Sequence, residues 1–435
     1  MKRRLPVPAQ FTEDVSIIRN GNFNRLWSAQ ILSQIAQNLL NFALIIRVFQ
    51  LAQGTRLANV SVALLILSFG FPSIFFAAAA GVYVDHWNKK KVLLIVNFLR
   101  AALVLGYLAF EHNLWMVFLL SFLISTTTQF FTPAEAAAIP ALVTKSQLLR
   151  ANSLFVFTLY ASFIVGYSGS GPVIAAFTAR GPYVLTSIMF ALAGLLVWFL
   201  PNMHIAGSKA TGFLKVVRLT GHELRANWRL IRTTHHLSFP IIELTLAQSL
   251  LGVIMVLAPA LSQAVLGMPL QDSSHYFIFP AGIGMITGVA LIGRLSKRLS
   301  HMRLIAIGGI VAAAALMLLG LANNLHHAGH GSFSLMRYQI GLIVAPITYI
   351  LGLSYGTICI AAQTILQEHT DESSRGKVFG ALGMMGNIAA TLPVFFAGIF
   401  ADLTSVQAVF TTLGAILLVF CIGQYALLSR RGKLA

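Results

Sequence analysis

The sequence predicts an all-α, polytopic membrane protein with twelve transmembrane helices in two pseudo-symmetric six-helix halves. Of its 435 residues, 57% are hydrophobic and only 10% are charged, and the mean hydropathy is +0.80. These values lie far outside the range of soluble domains and are typical of chains that cross a bilayer repeatedly. A bilayer core of about 30 Å needs about 20 apolar residues as helix, and the chain supplies roughly twelve such stretches.

One long polar connection, residues 202–238, divides the predicted spans into six and six. The predicted spans are residues 25–50, 58–83, 91–110, 114–135, 150–178, 183–202, 239–261, 276–296, 302–322, 339–361, 377–400 and 404–428. This gives an N-terminal segment (1–24), a first half (25–202), a linker (203–238), a second half (239–428) and a C-terminal tail (429–435). The linker alternates apolar and basic residues at helical spacing, which predicts an amphipathic helix on the inner leaflet. Its apolar residues are Leu214, Val217, Leu224, Trp228 and Ile231.

The basic residues predict the orientation. With the N-terminus in the cytoplasm, 25 of the 30 Lys and Arg residues fall in cytoplasmic tails and connections or at the span ends next to them. The positive-inside rule therefore places both termini in the cytoplasm of a bacterial plasma or inner membrane. The net charge of +18 is explained by this topology, so the predicted partner is the lipid bilayer and not nucleic acid. Two cysteines, Cys359 and Cys421, lie in apolar runs and exclude a disulfide framework.

A loop motif occurs once in each half. GVYVDHWNKKK (81–91) follows the second span, and GRLSKRLSHMR (293–303) follows the eighth. Gly293, Lys297, Arg298, His301 and Arg303 correspond to Gly81, Asp85, His86, Lys89 and Lys91. Two halves with corresponding loops are the sequence pattern of a duplicated transporter, in which one half moves against the other around a central site.

The first loop resembles motif A of the major facilitator superfamily, Gly-x-x-x-Asp-Arg-x-x-basic-basic. The resemblance extends over the whole chain, and residues 130–154 and 363–382 look like connecting segments of the efflux branch that includes macrolide exporters and the enterobactin exporter. It implies a monomer that works by alternating access without a cofactor. It also implies that the loop closes an inner gate, where Asp85 meets the N-terminal end of helix eleven, near Ser373–Lys377. The gate residues are Gly81, Asp85, His86, Lys89, Lys90 and Lys91.

His86 stands where the motif has arginine. An imidazole changes charge near neutral pH, so one hypothesis is a gate that is unusually sensitive to cytoplasmic pH. The alternative is a neutral replacement.

The fifth span contains a partial motif C, the motif that the family associates with antiport. Gly166, Gly171 and Pro172 match it, whereas its closing Gly-Gly is replaced by Ala175 and Ala176. The alternative interpretation is a generic small-residue face for close helix packing.

The first span carries an amide face that is the main candidate for the substrate cavity. Gln30, Gln34, Gln37, Asn38 and Asn41 lie at offsets that place them on one side of a helix. Amides facing lipid would leave donors and acceptors unsatisfied, so this face should line a wet cavity or form hydrogen bonds with other helices.

Further cavity candidates are amphipathic aromatics, amides and adaptable methionines, which suit a broad pocket for bulky, partly apolar compounds. They are Tyr160, Tyr167, Tyr355, Asn387, Thr126 to Gln129, Met384 and Met385.

Three ionisable residues fall within spans: Arg100, Glu135 near the end of the fourth span, and Glu243 early in the seventh. A buried carboxylate is the simplest proton carrier, and Glu243, with no charge near it in sequence, is the leading candidate. We expect Glu135 to pair with a basic residue such as Arg100.

No phosphate-binding loop is present, and His326, His327 and His330 lack an acidic or sulfur partner, so neither ATP hydrolysis nor a metal site is predicted. The sequence therefore favours a non-enzymatic, proton-coupled exporter of bulky amphipathic small molecules. The alternatives are the same fold carrying a siderophore or lysophospholipid, an importer, or a membrane-embedded enzyme or sensor.

Overall fold

The structure is a computed structural model, and it describes residues 14–144, 146–203, 235–263, 270, 273–321, 333–368 and 391–430. This part of the chain is helical throughout and contains no strand. A 3₁₀-helix (Asp14–Arg19) precedes the long helices. These are α1 (Gly21–Ala52), α2 (Ala58–His86), α3 (Lys89–Phe110), α4 (Leu114–Leu142), α5 (Leu148–Phe177), α6 (Gly181–Trp198), α7 (His235–Leu261), α8 (Phe279–Leu295), α9 (His301–Leu321), α10 (Phe333–Glu368), α11 (Thr391–Leu403) and α12 (Val406–Arg430).

Eleven helices in the described ranges are long and apolar enough to cross a membrane. A π-helical turn (Ser274–Ile278) extends α8 at its start. The remaining helix, α11, lies at the end of the eleventh predicted span, and residues 369–390 before it lie outside the description. The predicted linker helix, the His326–His330 loop, Met384, Met385 and Asn387 also lie outside it.

Asparagine side chains cap the N-termini of three helices in the first half. Asn20, Asn88 and Asn113 each accept hydrogen bonds from two backbone N–H groups at the start of α1, α3 and α4. Such caps satisfy donors that have no partner within the helix. They explain why α1 begins at Gly21 and α3 at Lys89, slightly earlier than predicted.

The predicted end of the fourth span was wrong. Residues after 135 continue α4 through two more turns to Leu142, because Ala136, Ala137 and Ala138 favour helix and are followed by apolar residues. Glu135 therefore lies inside α4 and is 7% exposed.

Short turns make consecutive helices antiparallel, so the bundle has two ends. We call the end with the turns at 87–88, 143–147 and 296–300 the motif face, and the end with those at 53–57, 111–113, 178–180 and 404–405 the far face. The sequence predicts that the motif face is cytoplasmic.

Packing within the two groups of helices follows corresponding pairs. In the first group, α2 packs on α4, and α3 packs on both α4 and α6; in the second group, α8 packs on α10, and α9 packs on both α10 and α12. Contacts between the groups run chiefly from α1, α2 and α5 to α7 and α8.

The hydrophobic cores show how the two halves meet. A single cluster near the far face includes residues of both halves, among them Phe49 of α1, Val256 of α7 and Phe410 of α12. Near the motif face the described residues form two separate clusters. One contains only first-half residues such as Leu93, and the other only second-half residues such as Leu304. The halves are therefore joined at the far face and have separate cores at the motif face.

Candidate functional site

A cavity lies among α7, α8, α9 and α10 of the second half. Its volume, including the space open to solvent, is ≈ 720 Å³. The lining is almost entirely apolar and includes Met255, Met285 and Phe277, with Tyr355 and Thr348 as the polar members. Phe163 of α5 also lines it, so the cavity reaches the boundary with the first half.

The amide face of α1 is divided between packing and exposure. Gln30 is buried, and its Nε2 donates a hydrogen bond to the Phe155 carbonyl oxygen of α5 at 3.3 Å. Gln37 Nε2 donates to Asn41 Oδ1 at 2.8 Å. Gln34 and Asn38 are half-buried. Gln30 thus contributes to packing of α1 on α5, whereas the other four amides remain partly accessible.

Aromatic residues of α5 connect the cavity to this amide face. The Phe163 ring, at the cavity wall, packs on the Tyr167 ring with 4.5 Å between their centroids. The Tyr167 hydroxyl in turn lies close to the Asn41 side chain. An apolar wall in the second half and an amide surface in the first half therefore lie on either side of one pair of rings.

A polar contact between the two halves lies nearer the motif face. The structure places Tyr160 of α5, which is 42% exposed, against Gln363 of α10. On the same helix the Tyr355 hydroxyl donates to Gln248 Oε1 of α7 at 3.4 Å. Gln248 and Gln363 were not among the sequence candidates, although an amide within an apolar span is the signal that identified the α1 face.

Glu243 lies next to the cavity. It precedes the lining residues Ala247, Leu250 and Ile254 by 4, 7 and 11 positions, so all four share one side of α7. The carboxylate is 4% exposed and interacts with Gln424 of α12. Its Oε1 has no hydrogen-bond partner among the described residues. A buried carboxyl group with a free oxygen beside a cavity can take up and release a proton.

Arg100 and Glu135 are buried together inside the first half. The Arg100 guanidinium is 2% exposed and lies over the rings of Phe131 and Phe190, at 4.6 Å and 5.5 Å from their centroids. The Glu135 charge acts on Arg100, but no hydrogen bond or ion pair joins the two within the described part of the chain. Arg100 Nε and Nη2 and Glu135 Oε1 have no hydrogen-bond partner. The expected pairing is thus electrostatic and does not involve direct contact.

The gate motif lies at the motif face, where α2 ends and α3 begins. Gly81 is half-buried, with open space around it, and Asp85 is exposed. His86 is half-buried, and neither Asp85 nor His86 forms a side-chain bond to another described residue. The expected partner of Asp85, the start of helix eleven, lies outside the described residues.

Lys89 has a structural role that the motif does not reveal. It is 1% exposed, and its Nζ donates hydrogen bonds to the carbonyl oxygens of Val84, Asp85 and Trp87, at 2.8, 2.7 and 3.1 Å. These carbonyls are at the C-terminal end of α2, where the helix dipole favours a positive charge. Lys90 and Lys91 use only their backbone N–H groups, which bond to Asn88.

The motif C glycine packs α5 on α1. A Cβ at Gly166 would lie 2.5 Å from Asn38 Cβ and 2.8 Å from the Ile35 carbonyl oxygen. Gly171 is buried, and Pro172 lies within α5. Close packing of small residues therefore describes Gly166 directly, and the antiport interpretation is compatible with it.

The polar run from Thr126 to Gln129 bonds to its own helix. Each of these four side chains donates to a backbone carbonyl oxygen three or four residues earlier in α4, at 2.7–3.0 Å. Each of these side chains therefore has a hydrogen-bond partner without a ligand.

Comparison with known proteins gives consistent matches. The family model described as Major Facilitator Superfamily matches residues 26–392. The MFS-type transporter YfiS of Bacillus subtilis (strain 168) is 24% identical over 414 residues, 92% of each chain. Macrolide efflux protein A of Streptococcus pyogenes is 24% identical over 409 residues, which are 92% of this chain and 94% of the relative.

Solved structures share the fold at low identity. A bacterial homologue of the human lysosomal transporter Spinster, inward-facing and unoccupied, is 12% identical with a TM-score of 0.72, and the match covers 94% of this chain and 97% of that one. The nucleoside transporter NupG is 14% identical with a TM-score of 0.69, over 93% and 98% of the two chains.

Proposed function

Because the chain belongs to the major facilitator superfamily and is a multi-pass membrane transporter, we propose that it exports bulky, amphipathic small molecules in exchange for protons. It works as a monomer in the bacterial plasma membrane, with the motif face and both termini in the cytoplasm. The two halves alternate between conformations that open the site to one side and then to the other.

One observation carries the proposed substrate class. The packed rings of Phe163 and Tyr167 lie between the apolar cavity of the second half and the amide face of α1. A compound with one apolar side and one hydrogen-bonding side would bury the first against Met255 and Met285 and present the second to Gln37 and Asn41. Flexible methionines and few fixed polar groups favour shape-tolerant binding of such compounds.

The relatives support export. Macrolide efflux protein A matches over nearly the whole of both chains, and macrolides are large compounds with an apolar ring and polar substituents. The nucleoside transporter and the Spinster homologue match at 12–14% identity, so their likeness concerns the fold and not the cargo.

Two features support the mechanism. The shared core at the far face and the separate cores at the motif face are what a state closed on one side requires. Glu243 supports proton coupling, because its buried carboxyl group is one turn from the cavity wall at Ala247. A proton bound to Glu243 changes the charge beside the substrate, so proton binding and substrate binding affect each other.

The test uses everted membrane vesicles, whose lumen corresponds to the cell exterior. With an acidic lumen, vesicles containing the protein should accumulate a radiolabelled macrolide, and an uncoupler should release it. Glu243→Gln should abolish accumulation driven by the pH gradient while keeping downhill exchange of labelled for unlabelled compound.

Two matched variants test which carboxylate couples transport to protons. Glu111→Gln changes a carboxylate in the α3–α4 turn and should keep wild-type transport at neutral pH, whereas Glu135→Gln tests the other buried candidate. Gradient-driven accumulation in all three variants would exclude these carboxylates as coupling sites. Absence of macrolide transport by the wild-type protein under any gradient would contradict the proposed cargo.

A further inference from the structure

The N-terminus of α2 is capped by an aspartate from the other half of the molecule. Asp402, at the end of α11, accepts hydrogen bonds from the backbone N–H groups of Asn59 and Val60, at 3.0 and 2.8 Å. It also accepts one from Asn59 Nδ2 at 2.7 Å. More than 340 residues separate these partners in the sequence, and Asn59 is 7% exposed.

This cap replaces one that the local sequence does not provide. The residue at the N-cap position of α2 is Leu57, which has no side-chain acceptor, whereas α1, α3 and α4 each begin at an asparagine that caps its own helix. The first N–H groups of a helix have no partner within it, and its dipole favours a negative charge there. α2 therefore obtains both its hydrogen-bond acceptor and its compensating charge from the second half.

The backbone around the cap is built for close approach. A Cβ at Gly398, one turn before Asp402, would lie 2.9 Å from both Ala63 Cβ and the Asn59 carbonyl oxygen of α2. On the opposite side of the same boundary, a Cβ at Gly282 of α8 would lie 2.8 Å from Ile164 of α5. The cap thus lies where the two halves are in contact, beside the core that they share at the far face.

We propose that Asp402 is a far-face latch, which stabilises the conformation closed at the far face and opens in each cycle. The inference rests on the alternating access of the proposed function, since a latch requires a second conformation. When the halves separate at the far face, Asp402 leaves α2, and the N–H groups of Asn59 and Val60 lose their partner.

The opposite end of α2, at the motif face, also carries an aspartate. Asp85 there is exposed and has no ion-pair partner in the described ranges. Asp402 of α11 is thus bonded to the start of α2, whereas Asp85 at the end of α2 forms no ion pair within the described part of the chain. A rocking motion that closes one face opens the other, so the Asp402 contact should form while the motif face is open.

The latch is tested by the distances between the halves, without substrate or gradient. Spin labels on Val184→Cys and Leu321→Cys report the far face, and labels on Leu149→Cys and Lys297→Cys report the motif face. All four residues are exposed and each pair joins the two halves. Cys359→Ser and Cys421→Ala provide the background without native cysteines, and the protein is studied in lipid nanodiscs.

Asp402→Ala should lower the ratio of far-face-closed to far-face-open molecules by about 5-fold to about 30-fold, the usual effect of losing a helix cap. The far-face distance distribution then gains a longer component and the motif-face distribution a shorter one. Asp402→Asn keeps one acceptor oxygen but loses the charge, so we expect a smaller change in the same direction, about 2-fold to about 5-fold.

Asn113→Ala is the matched control, because it removes a cap of the same kind at the same face but within the first half. It should leave both distributions unchanged. Distributions equal to wild type in Asp402→Ala, or an equal shift in Asn113→Ala, would overturn the latch. Because no cargo or proton gradient is present, this result does not depend on the vesicle experiment.

Discussion

Replacing Gly166 with alanine tests whether α1 and α5 depend on close backbone approach beside the amide face. The new Cβ would lie 2.5 Å from Asn38 Cβ, 2.8 Å from the Ile35 carbonyl oxygen and 3.0 Å from Leu39 N. Two of these three neighbours are backbone atoms, so a rotamer change cannot relieve the overlap. Ordinary carbon contacts are about 3.5–4.0 Å, which means that the helices must separate by roughly 1 Å.

The cost follows from the packing. Overpacking of this kind destabilises by about 1–3 kcal/mol. Gly169→Ala is the matched control: it lies in the same helix one turn on, and nothing is within 4 Å of its Cβ position. Both variants gain about the same helix propensity. The difference in unfolding free energy between them therefore isolates the packing term.

The assay is thermal unfolding of the purified protein in detergent, together with vesicle transport. We expect the midpoint of Gly166→Ala to fall below that of Gly169→Ala by at least about 2 °C, the effect of about 1 kcal/mol in a domain the size of one half. Transport should also fall, because displacing α1 moves Gln37 and Asn41 relative to Tyr167. Equal midpoints and equal transport in the two variants would refute the reasoning.

Two further predictions concern charged groups. Hydrogen bonds from Arg180 at the far face hold the pKa of Glu111 below its ordinary value. The stability that this pair contributes is therefore complete above the unfolded pKa of Glu111, about 4.3, and is lost as the pH falls through the folded pKa. Glu111→Gln should therefore flatten the decrease in thermal midpoint between about pH 5 and about pH 3, and an unchanged acid dependence would contradict the pair's contribution. Lys89→Met should destabilise the protein by about 1.5–3 kcal/mol, because it loses the charged hydrogen bonds to the end of α2. Lys90→Met should change the stability by no more than about 0.5 kcal/mol, and similar thermal midpoints for the two variants would show that the buried ammonium contributes nothing.

The helices and their order were predictable because hydropathy and capping are local properties. An apolar stretch of sufficient length has to be helical in a bilayer, whatever surrounds it. Asn88 and Asn113 act on N–H groups two and three residues away. The helix ends were less predictable: α4 continues to Leu142 although its predicted span ended at Glu135, and α10 extends from Phe333 to Glu368 although its predicted span was 339–361.

The candidate site was predictable only in part. Periodicity placed Gln30 and Gln37 on one face of α1 but could not show that Gln30 bonds to the α5 backbone while Gln37 remains accessible. The same limit applies to Glu135, because its distance from Arg100 depends on how α3 and α4 are rotated about their axes. Which face of a helix meets which neighbour is set by packing over the whole bundle, not by spacing within one span.

The sequence by itself determined the prediction of twelve spans in two related halves. Composition and the length of apolar stretches can be measured along the chain without knowing which segments are neighbours in space. Only the tertiary structure decided that Glu243 lies beside the cavity and that α2 begins under the carboxylate of Asp402. It also decided that, among the described residues, the halves share a core at the far face and have separate cores at the motif face. These contacts join residues hundreds of positions apart, and their energies depend on distances that no local pattern records.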